Sequence, residues 1–80
     1  MKEKFKCFNT EFEVEFIIQE REDHLAVIVQ PFYIVVYGQT EEYTIERARK
    51  AVRLLIKHYE LRCDEDSFIR NYNEIVERRK

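Results

Sequence analysis

The chain has 80 residues, 45% hydrophobic and 14% aromatic, with one glycine and one proline, which describes one compact ordered domain and excludes a disordered chain. Charged residues reach 38% while the formal net charge is only −2, so no bulk field draws the protein to nucleic acid or a membrane. Such charge density, with so little Gly and Pro, suits a heat-stable protein.

The N-terminus, MKEKFKCFNT, carries charges where a leader would need an apolar core, and no 18-residue apolar run follows. A soluble, cytoplasmic protein is expected, with no membrane partner. Lys4 to Phe8 can pair as an edge strand.

Residues 11–20, EFEVEFIIQE, alternate cleanly. Phe12, Val14, Phe16 and Ile18 face one way, while Glu11, Glu13 and Glu15 face the other. Glu20 to Asp23 form a charged turn without glycine, and His24 to Gln30 return as a second strand. Pro31 cannot donate to a ladder and belongs in the turn or at the start of the next strand, Phe32 to Tyr37.

These two strands, LAVIVQPFYIVVY, are apolar on both faces. A half-buried antiparallel strand would leave one face polar. Cover is needed on a second face, and a chain of this length has little material for it. We therefore expect a homo-oligomer whose interface includes Ala26, Ile28, Tyr33, Val35 and Tyr37. Tyrosine buries area while keeping a polar tip, which suits it to interfaces. Packing of that face under a C-terminal helix is the alternative.

A helix follows over 44–60. Thr44 is a plausible N-cap, and Thr40 with Glu41 and Glu42 is the competing start. Ile45, Ala48, Val52, Leu55, Ile56 and Tyr59 form its apolar stripe, so Phe16 and Leu55 are expected at the centre of the core. Leu54 points off the stripe and needs another explanation. Asp64, Asp66 and Ser67 start a shorter helix with Phe68, Ile69, Tyr72, Ile75 and Val76 inward, and Arg78, Arg79 and Lys80 suit its C-terminus.

Charge divides unevenly: residues 1–43 carry a net −5, residues 44–60 a net +3, and residues 61–80 balance. Arg49, Lys50, Arg53 and Lys57 make a basic helix face that could contact phosphates, although no aromatic interleaves with it. Only weak nucleic-acid binding is expected. The glutamates of 11–15 are spaced for a solvated face rather than for acid–base work. His24 and His58 lack ligand spacing, and Cys7 and Cys63 form no C-x-x-C pair, so no metal, cofactor or catalytic residue is expected.

In the order of its elements the chain resembles the N-terminal domain of the HicB-like antitoxins. Pro31 stands where that family's proline ends a strand. Thr40 and Thr44 fall at its two threonines and Ala48 at the alanine of the first helical turn, and TIERARKAVRLLIKHYE is similar to its helix. Glu42 and Tyr43 stand where the family has Gly-Asp, and Arg47 where it has Glu. The resemblance covers about residues 11–60. It implies an α+β fold: a three-stranded antiparallel meander, then one long helix (β-β-β-α, of partial ribonuclease H type without the catalytic acids), here with a short C-terminal helix. It further implies a non-catalytic oligomeric module able to neutralise a partner such as a small RNA-cleaving toxin. One domain is expected over 1–80: an N-terminal segment, 1–10; the core, 11–60; and a helical extension, 61–80, too short for a separate DNA-binding module.

Overall fold

The computed structural model describes residues 1–78 and is α+β: an antiparallel sheet followed by two helices. The strands are β1 (Lys2–Cys7), β2 (Thr10–Glu20), β3 (Leu25–Gln30) and β4 (Ile34–Gly38), and the helices are α1 (Glu41–Arg62) and α2 (Glu65–Arg78). Arg79 and Lys80, assigned above to a helix end, lie outside the described residues.

The sheet has four strands in the order β1-β2-β3-β4, not three. The added strand begins at Lys2, and its register sets Lys2, Lys4 and Lys6 opposite Glu15, Glu13 and Glu11. Opposite charges on directly paired positions favour this register. The β1–β2 connection is the two-residue turn Phe8-Asn9, with Phe8 at φ 56°. His24 stays in the loop before β3, and β4 starts at Ile34, which leaves Phe32 and Tyr33 in the turn after Pro31. The Gln30–Pro31 bond is cis.

One sheet face is the core face. Phe12, Val14 and Phe16 of β2 and Val27 and Val29 of β3 are buried there with Cys7 of β1. From α1, Ile45, Ala48 and Val52 close over them, with Ile56 and Tyr59 partly buried alongside. Leu55 is only half-buried, at the edge of the stripe rather than its centre.

The helix starts at the earlier of its two candidate caps. The Thr40 hydroxyl accepts from the Tyr43 N–H at 3.2 Å, and Glu41 and Glu42 occupy the first turn. Thr44 lies inside the helix, fully buried, its hydroxyl donating to the Thr40 carbonyl at 2.6 Å. Gly38 is what lets it fit. A Cβ on Gly38 would stand 2.2 Å from the Thr44 hydroxyl and 2.9 Å from the Tyr43 ring, so the sheet can approach α1 here only without a side chain.

α2 docks on the same sheet face as α1, so it does not cover the other face. Asp64 caps it, accepting from the Ser67 N–H at 2.8 Å, and this bond holds the Asp64 carboxyl below its usual range. Phe68 is 1% exposed, with its ring centroid 5.2 Å from that of Phe12 and 5.1 Å from that of Tyr59. Tyr72 packs on Phe12 and Phe32 and donates its hydroxyl to the Glu13 carbonyl at 2.8 Å. Asn71 donates to the Tyr59 hydroxyl.

Two substitutions test this packing. Phe68→Ala should destabilise by about 3–5 kcal/mol, since it empties a fully buried aromatic site. Gly38→Ala should destabilise by about 1–3 kcal/mol through overpacking against Thr44. Denaturant midpoints unchanged from the native protein would show that α2 or the start of α1 packs elsewhere.

Candidate interaction surface

The outer sheet face has two halves. On the β1–β2 half, Lys2, Lys4 and Lys6 stand beside Glu11, Glu13 and Glu15, with contacts of 4.0 Å for Lys2–Glu13 and 3.7 Å for Lys4–Glu11. Exposed pairs of this kind contribute little and stay solvated. The glutamate row is thus balanced by a lysine row, which depends on β1 forming. On the β2–β4 half, Ile17, Ile28 and Val35 line up across three strands, with Ala26 paired to Tyr37.

The five expected interface residues fare differently. Val35 is 36% exposed, Tyr37 55% and Tyr33 69%. Ile28 is half-buried. Ala26 has no exposed surface, because its small side chain lies beneath its neighbours within the same chain, so it underlies the patch and presents nothing. Tyr33 is not a strand residue: it lies in the turn, with φ 62°, and leads into β4. Ile17, which the pattern did not single out, joins the face through its pairing with Ile28. The His24 ring meets the Tyr37 ring edge-on at 5.5 Å, and His24 Nδ1 lies 2.6 Å from Asp23 Oδ1. That bond holds the exposed Asp23 carboxyl below its usual range.

The basic face of α1 is also divided. Arg49 is turned to the sheet. Its Nε donates to Glu3 at 2.9 Å, its Nη2 to the other Glu3 oxygen at 3.1 Å, and its Nη1 to Glu46 at 2.6 Å. The two carboxylates hold its guanidinium above an already high range, and Arg49 in turn lowers the Glu46 carboxyl. A forked pair fixes geometry as well as charge, so Arg49 fastens α1 to β1. Lys50, Arg53 and Lys57 remain exposed. Arg47 lies over the Tyr43 ring at 5.7 Å.

A third cluster, Glu60 and Glu65 around the β1–β2 turn, carried no sequence signal. Glu60 accepts from the Phe8 N–H at 2.9 Å, while Glu65 accepts from the Asn9 N–H at 3.1 Å and the Thr10 hydroxyl at 2.8 Å. These bonds tie the helix junction to the first hairpin. Cys7 is buried beside them, and burial first, then Glu60 and Glu65, push its thiol up to about 11. Cys63 is exposed, and both thiols are free.

Among the described residues, no group of three or more His, Cys, Asp or Glu is placed to hold a metal ion, and no helix is long and apolar enough to cross a membrane. No family model matches the chain, and neither a curated protein nor a solved structure shows significant similarity to it.

The two thiols should separate chemically. With a disulfide reagent at neutral pH, Cys63 should react quickly and Cys7 only after unfolding, since the thiolate is the reactive form. The raised Cys7 pKa means that the folded state holds its proton where the unfolded chain releases it. Stability should therefore be intact below the ordinary thiol value of 9.0 and fall as pH rises from there towards about 11. A Cys7→Ala variant should lack this alkaline loss. Two equally fast thiols, or an identical alkaline profile in that variant, would contradict the placement of Cys7.

Proposed function

We propose that this protein is a non-catalytic interaction module of the HicB-like kind, paired with a second copy of itself through the β2–β4 half of its outer sheet face. The one observation that carries the reading is that both helices lie on the opposite face. Ile28, Val35 and Tyr37 are left with no covering element among the described residues. An apolar patch on a sheet, rimmed by charged residues, is the usual mark of an association surface. The succession β2, β3, β4, α1 has the strand-strand-strand-helix order that the HicB-like resemblance implies. In that reading the dimer masks a partner protein such as a small RNA-cleaving toxin.

Phosphate binding by the basic helix face is the rival reading. With Arg49 engaged by Glu3 and Glu46, it is left with Lys50, Arg53 and Lys57, and Arg47 beside them, as exposed cations. Four counterions at most give a modest salt slope and weak affinity.

Light scattering over a concentration series tests the assembly. The native protein should be a dimer at tens of micromolar, on the order of the affinity expected for a modest apolar patch. The double substitution Val35→Lys with Tyr37→Lys should be monomeric with an unchanged circular dichroism spectrum, since neither side chain reaches the core. A native protein that stays monomeric at about 100 µM, or a double variant that still dimerises, would overturn the reading.

A further inference from the structure

The two edges of the sheet are treated differently. β1, at one edge, carries Lys2, Lys4 and Lys6, the kind of charged side chain that discourages pairing with another chain. β4, at the other edge, reads IVVYG and has no charged residue at all. Among the described residues β3 is its sole strand neighbour, so a row of N–H and C=O groups along β4 faces outward. An edge left bare on one side of a sheet, and guarded on the other, is available for pairing.

A groove runs beside this edge. Val36 of β4 and Tyr43, Ala51 and Leu54 of α1 line it, with Arg47 and Lys50 at its rim, and its volume is about 330 Å³. It continues along the helix, where Lys50, Arg53 and Lys57 surround Leu54. Leu54, the residue that does not fit the buried stripe of α1, is 69% exposed at the centre of these cations. Apolar floor and basic rim thus lie next to an unpaired backbone edge.

A second copy is a poor occupant. Pairing of β4 with β4 about a two-fold axis would set two α1 helices side by side and bring the same four cations of each against the other. The charge calls for an acidic occupant, and the backbone edge calls for an extended one.

We propose that the β4 edge and its groove bind an extended acidic segment of a partner protein, which adds a fifth strand to the sheet. The added strand would lie about 4.8 Å beyond β4, with alternate side chains directed to the helix side. An apolar side chain opposite Val36 then rests on Ala51 and Leu54. Acidic side chains two residues away in either direction reach Arg47 and Lys50 on one side and Arg53 and Lys57 on the other. A nucleic acid strand would use the cations but neither the leucine floor nor the backbone edge.

The probe is a fluorescently labelled nine-residue peptide. It carries leucine at position five, glutamate at the other odd positions and threonine at the even ones. Fluorescence anisotropy should show saturable binding on the order of 10–100 µM. Affinity should fall at least several-fold when ionic strength rises from about 0.05 to about 0.5 M. The exposed double substitution Lys50→Glu with Arg53→Glu should lower affinity about ten-fold or more with the fold intact by circular dichroism. A peptide N-methylated at every position should not bind, because neither of its edges can then donate to β4. In heteronuclear spectra the largest amide shifts should fall on residues 34–38. No saturation by about 1 mM would overturn the proposal. So would equal binding of the N-methylated peptide, or of one with lysine for glutamate. A single-stranded oligonucleotide that binds more tightly than the peptide would likewise overturn it, in favour of a nucleic acid.

Discussion

Phe12 is where the sheet, α2 and the β3–β4 turn meet. Its ring centroid lies between 5.2 and 6.2 Å from those of Phe5, Phe32, Phe68 and Tyr72. Phe32, Phe68 and Tyr72 meet it edge-on and Phe5 stacks on it, and such pairs add about 0.5–1.5 kcal/mol each beyond the area they bury. The cluster holds α2 on the face that α1 already occupies. Glu60 and Glu65 support the placement by accepting from the backbone of the first hairpin next to the helix junction. Both helices are thereby used on one side, and the character of the other side follows from that.

The outer face divides according to strand. Where β1 and β2 run side by side, lysine and glutamate rows neutralise each other and face water. Where β3 and β4 run, the outward positions are Ala26, Ile28, Gln30, Val35 and Tyr37, and no charge stands among them. The two surfaces drawn from this geometry are separate: a flat apolar patch on the outer face, and a basic groove between the bare edge and α1. The side chains of β4 serve the two surfaces alternately, because successive residues of a strand point to opposite faces. Val35 and Tyr37 belong to the patch, Val36 to the groove.

Much of this was legible in the residues. The alternation of 11–20 located β2 and its buried face, and Pro31 marked the turn. The doubly apolar character of 25–37 points to a surface in need of cover. The edge strand β1 was half visible, because KEKFKC alternates but is too charged to announce itself; only the facing glutamates of β2 make its lysines favourable. The choice of Thr40 over Thr44 as cap depended on Gly38, whose missing side chain makes room for Thr44 in the interior. No local pattern encodes that. Ala26 looked like surface by alternation, yet it is small enough to be buried by its neighbours, which periodicity cannot register. Leu54 was visible as an anomaly, and only its position beside the β4 edge gives it a role. Arg49 read as one of four equivalent cations, and the difference lies in Glu3, 46 residues away in sequence.

The central claim is that the outer face of β3 and β4 is covered by a second copy of the same chain. Isotope-filtered nuclear Overhauser spectroscopy on a mixture of labelled and unlabelled protein addresses this contact directly. The account predicts intermolecular cross-peaks that join the Ile28 and Val35 methyls to the Tyr37 ring of the other copy. Intermolecular cross-peaks confined to α1 or α2, or none at concentrations where the protein is fully assembled, would contradict it.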